Sequence, residues 1–163
     1  MAAQVATWLA AIEESGLAAV VKQSTWLYPA AELVHIIGFV LLVGAAAMFD
    51  LRLLGLSRGV PVSAMASHLL PWARAGFVLL IPTGVLMFVN DPVTTAANPA
   101  FRIKMALIVG GLLNVLVFHW GVFRSVGHWD RMTAAPLAAR VAAALSLVIW
   151  LATLAAGRLM AYV

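Results

Sequence analysis

The chain has no cysteine. That excludes disulfides, thiolate metal sites, thiol catalysis and thioether-attached haem. Charge is scarce as well. Only 10% of its 163 residues are charged, against about 25% in a soluble domain. The ten basic side chains are scattered. No Lys/Arg block with interleaved aromatics occurs, so no nucleic-acid partner is expected. There is no nucleophile elbow, phosphate loop or paired catalytic carboxylate, so nothing points to hydrolytic catalysis. The first 25 residues lack a basic leader and contain Glu13 and Glu14, so no cleavable signal peptide is expected.

What the chain has in abundance is apolar side chain, 64% of its residues. A core of this size cannot hide that much from water, so the lipid bilayer must serve as solvent. One membrane domain spanning residues 1–163 is expected. Four segments are long enough to cross, at about 20 helical residues each. They run over about 26–49, 68–89, 101–123 and 137–157. Pro29 suits the first turn of the first span. That span ends at "FDLRLLG", where Asp50 and Arg52 are expected to meet headgroups. Pro71 and Pro82 should bend the second. Asn98 and Pro99 mark the start of the third. Residues 1–24 read as a short interfacial helix with Trp8, Leu9 and Ile12 on one side. The fold class is therefore all-α: an integral membrane up-down four-helix bundle, multi-pass, with a short N-terminal interfacial helix.

The loops near residues 50–66 and 121–136 define a loop face, and both termini lie on the other, the termini face. Arg52, Arg58, Arg74, Arg124, Arg131 and Arg140 collect at the loop face. Lys22, Arg102, Lys104 and Arg158 collect at the termini face. Six cations against four favour a cytoplasmic loop face with the termini outside.

Ionisable groups inside lipid are costly, so each is a functional candidate. "ELVHIIGF", residues 32–39, places Glu32 and His35 one turn apart. Glu32 lies roughly 9 Å into its span at 1.5 Å per residue. Pairing with Lys104 or Arg102 would hold it ionised; the alternative is a role beside His35. The spacing matches one half of a di-iron motif, but the other acids lie outside the expected spans. His35 is either hydrogen-bonded or a ligand. His68 and His119 fall at the loop face, and facing histidines on two helices suit a b-type haem. In that reading His68 and His119 are the axial pair and His35 the second candidate. Gly38 and Gly111 either make room for the flat cofactor or let helices approach. Arg52, Arg74 and Arg124 would meet its propionates. The alternative is copper, held by Met48, Met65, His68, His119, His128 and Met132, a soft thioether and imidazole set. Asn114 is expected to make an interhelical hydrogen bond.

The stretches "YPAAELVHIIGFVLLVGAAAMFDLRLLG", "LLPWARAGFVLLIPTGVLMF" and "NPAFRIKMALIVGGLLNVLVFH" resemble an uncharacterised family of small bacterial four-span integral membrane proteins. The resemblance covers about residues 26–120 and implies a bacterial inner-membrane protein without assigned activity. The first helix, His then Gly, is loosely similar to copper-resistance D-type membrane proteins and small b-type cytochromes. The functional expectation is a haem b protein acting in electron transfer. A copper-binding or copper-transfer protein is the first alternative, and a non-catalytic scaffold or complex subunit the second. Few polar residues line the spans, which suggests homo-oligomerisation or a cofactor-binding role rather than a lone transporter; a redox partner or a larger membrane complex is the further partner expected.

Overall fold

The structure is a computed structural model that describes residues 2–131 and 134–163. Its elements are α1 (Ala2–Glu13), α2 (Gly16–Gln23), α3 (Leu27–Leu54), α4 (Val62–Asn90), α5 (Pro92–Ala97), α6 (Pro99–Trp120), α7 (Val126–Trp129) and α8 (Leu137–Leu159). A 3-10 turn, Val122–Ser125, precedes α7. No strand occurs among the described residues. The helices α3, α4, α6 and α8 are long and apolar enough to cross a membrane. Large apolar side chains such as Val40, Ile81, Val117 and Val148 are exposed on their outer faces, where lipid covers them.

Local chemistry sets the ends of these helices. Gly55 stops α3: its φ of 113° suits glycine, and Leu56 N–H bonds back to Leu51 O at 2.9 Å. Asn98 caps α6, its side-chain oxygen accepting from Ala100 N–H at 2.9 Å and Phe101 N–H at 3.2 Å. The same amide donates to Val163 O at 2.7 Å, which ties the C-terminus to the start of α6. The start of α4 is capped from a distance. Asp130 accepts from Ser63 N–H at 2.7 Å and from the Ser63 hydroxyl at 2.8 Å.

Two expectations change here. The first span does not end at Phe49; α3 runs on to Leu54 and carries Asp50 and Arg52 inside the helix, where both are buried. The N-terminal segment is two helices rather than one. Ser15 breaks it, accepting from Ala18 N–H at 3.3 Å as the cap of α2. Ala18 and Val21 of α2 are buried, and α2 packs on α4.

The spans alternate in direction, and their packing order across the bundle is α4, α3, α8, α6. The tightest crossing joins α3 to α4 at Gly38 and Gly76. A Cβ on Gly76 would lie 2.5 Å from Gly38 O and 2.6 Å from Leu42 N. Glycine lets the two backbones approach this closely. By contrast, the backbones of α4 and α6 do not pack on each other. These helices meet near the termini face, where α5 joins them and Phe88 stacks on Phe101 with centroids 5.5 Å apart. A cleft lies between them in the loop-face half of the bundle.

Candidate functional site: a cleft between α4 and α6

The cleft has a volume of about 440 Å³. Its walls are apolar and partly aromatic, with Leu42, Phe49, Phe77, Phe118 and Trp150 among them. At the loop-face end it is bounded by an aromatic cluster, in which Phe49 meets Phe118 edge-on at 5.9 Å and Phe123 at 6.2 Å. Because α4 and α6 stand apart, the cleft is not enclosed on the side between them.

Five polar residues line it: Asp50 of α3, Arg74 of α4, Asn114 and His119 of α6, and Ser146 of α8. Asn114 Nδ2 donates to Ala142 O at 2.9 Å, so it makes the expected interhelical bond. His119 Nδ1 lies 2.9 Å from Val115 O. A carbonyl only accepts, so Nδ1 carries the proton and Nε2 remains free to accept or ligate. Asp50 is only 6% exposed, and its Oδ2 has no hydrogen-bond partner. Ser146, across on α8, lies beside the carboxyl. Arg74 is exposed on α4 and does not reach Asp50 within ion-pair distance. A buried carboxyl oxygen left unbonded is costly, and Asp50 is among the residues that line the cleft.

The sequence-level candidates are distributed differently from the expected haem arrangement. His119 is in the cleft, but His68 is exposed and is not part of its lining. The structure therefore does not bring the expected axial pair together around this cleft. Gly38 makes the helix crossing described above rather than space for a cofactor. Gly111 likewise admits α8: a Cβ there would lie 3.2 Å from both Ile149 and Trp150 side chains. Arg52 is 1% exposed and donates from Nε to Val60 O at 2.6 Å, so it is committed to the α3–α4 turn instead of propionates. Arg124 lies in the 3-10 turn, outside the cleft lining.

The copper set is dispersed. Met48 is exposed on α3, Met65 packs on the loop-face core, and His128 lies beside Asp130 and Arg131 at the surface. Met132 lies outside the described residues. No group of three or more His, Asp or Glu side chains spaced to hold a metal occurs among the described residues.

His35 occupies a separate place, toward the termini face. Thr83 Oγ1 donates to Leu79 O at 2.7 Å, so its 2.9 Å contact with His35 is accepted from Nδ1–H. Gly84 leaves room for the ring, since a Cβ there would sit 3.3 Å from His35 Cε1. The expected ion pair of Glu32 with Lys104 or Arg102 is not formed. Among the described residues the one salt bridge joins Lys22 to Glu13 at 3.1 Å. Glu32 is exposed on α3 beside Tyr28, Arg102 donates to Ala96 O at 2.9 Å, and Lys104 extends toward Gly157 of α8. Arg102 thus has a carbonyl partner of its own and Lys104 packs along α8.

The sequence reading missed Asp50, Ser146, Thr83 and Gly84 as site-forming residues. The signal for Asp50 was present in "FDLRLLG": the apolar residues Leu51, Leu53 and Leu54 continue beyond the acid, and the glycine that stops the helix comes only at position 55.

Residues 8–163 match the model of a family of unknown function, DUF6644, and the chain belongs to that family. No curated protein and no solved structure matches it.

Proposed function

We propose that this protein is a membrane-embedded binding protein that takes a lipophilic, hydrogen-bonding small molecule from the bilayer into the cleft between α4 and α6. One observation carries the reading: an apolar cavity of about 440 Å³ holds a buried, unpartnered carboxyl oxygen at its wall. Ligand sites typically measure about 300–1,000 Å³ and combine apolar walls with a few polar groups. Organic extraction of the purified protein tests it. A bound lipophile should be recovered near one equivalent per chain. Ala46→Phe, which places a ring in the cleft, should reduce recovery several-fold. Equal recovery from both proteins would overturn the reading.

A second reading is favoured by His119. A histidine that donates Nδ1–H to a backbone carbonyl and keeps Nε2 free is oriented as metal-ligating histidines are. His119 could thus serve as the single protein ligand of a haem b in the same cleft, in an electron-transfer role. Protein from a haem-sufficient host would then show a Soret band, weakened in His119→Ala. A colourless preparation that takes up no added haem would remove this reading. Among the described residues, copper binding finds no comparable arrangement. We place the chain in a bacterial inner membrane with its loop face in the cytoplasm, on the excess of arginine at that face.

A further inference from the structure

We propose that Asp50 anchors the polar end of the cleft's ligand, and that this ligand is a lipophilic ring compound bearing a neutral hydroxyl, of the phenol or quinol type. The inference rests on the cleft being a binding site. Three properties of the lining select the class.

The first is the shape of the apolar wall. Phe49, Phe77, Phe118 and Trp150 present aromatic surface, which favours stacking and edge contacts with a flat ring.

The second is the mixed charge. Asp50 and Arg74 both line the cleft, yet they are not paired with each other. A cationic ligand would meet the Arg74 guanidinium, and an anionic one would meet the Asp50 carboxyl. A neutral ligand avoids both penalties in a medium that screens charge poorly.

The third is the chemistry of the free oxygen. Asp50 Oδ2 is buried and unbonded. A hydroxyl both donates and accepts, so it can satisfy this oxygen whether the carboxyl is ionised or protonated. Nε2 of His119, on α6, supplies a further group for a second oxygen on the ring.

The test uses the full chain in phosphatidylcholine nanodiscs, with empty nanodiscs as the partition control. Equilibrium dialysis compares 2-naphthol with 2-methoxynaphthalene, which keeps the ring and removes the donor. Wild type should hold both above the empty-disc level and prefer the naphthol roughly tenfold, as a hydrogen bond to a carboxylate implies. Asp50→Leu should bind both probes equally. If that variant does not fold, Asp50→Asn decides, because it keeps the shape and should narrow the preference. Wild type holding both probes equally, or a variant keeping the full preference, overturns the role of Asp50 while the cleft remains a binding site. Neither probe held above empty discs overturns the cleft reading and this inference with it.

Discussion

Arg52 and Asp130 show how single side chains replace missing water at the loop face. Arg52 is buried, yet its charge meets backbone carbonyls of the α3–α4 turn, Val60 O at 2.6 Å and Arg58 O at 3.5 Å. Arg52→Met should cost about 1.5–3 kcal/mol, the worth of hydrogen bonds to a charged group. Arg52→Lys should not restore the loss, since an ammonium lacks the fork that reaches two carbonyls. Thermal unfolding in detergent measures both. Asp130 works from the surface. Its carboxyl is held below the usual aspartate value, chiefly by the Ser63 backbone N–H, with the Ser63 hydroxyl and Arg131 adding to it. Because the folded value is the lower one, its stabilisation is complete above the unfolded value near 3.9. It is lost as pH falls through the folded value. Wild type should therefore lose stability below about pH 4 faster than Asp130→Asn, read as unfolding temperature against pH. Neither role was legible in the sequence. Both depend on partners brought by a turn or a distant helix, and Asp130 lies 67 residues from Ser63.

At the scale of elements, the four spans were legible because long apolar runs leave lipid as the only solvent, and helix is the way such runs satisfy their backbones. Their ends were less so. The acid at Asp50 suggests a headgroup contact, but a helix ends where its carbonyls are capped, and Gly55 does that five residues later. Gly38 was legible as special, with its purpose left open between packing and cofactor space; its neighbour Gly76 decides for packing. Gly76→Ala would push a methyl group against two backbone atoms of α3, which cannot rotate away. It should cost about 1–3 kcal/mol, as overpacking does elsewhere. Gly44, on the partner helix α3, is the control. A Cβ there meets nothing within 4 Å, so Gly44→Ala should gain up to about 1 kcal/mol through helix propensity. Unfolding of the two variants side by side checks the crossing. Equal effects would mean that α3 and α4 are not held at Gly38 and Gly76.

Over the whole molecule, the departure from a closed bundle gives the cleft its place. Consecutive spans α4 and α6 do not pack on each other, and the cleft between them is lined by residues from the loop-face halves of the four spans. Any ligand held by Asp50 then sits in the half of the bilayer that carries the six arginines. The proposed cytoplasmic placement of that half rests on the positive-inside bias, six cations at the loop face against four at the termini face. The absence of cysteine makes the orientation directly measurable, because a single introduced thiol has no background. Ser57 lies in the α3–α4 turn at the loop face, and Thr95 lies in α5 at the termini face; both are outside the long spans. With the loop face in the cytoplasm, Thr95→Cys should react with a membrane-impermeant maleimide in intact spheroplasts. Ser57→Cys should react only after the membrane is opened. The reverse pattern would invert the molecule and place the Asp50 half of the cleft toward the outer leaflet.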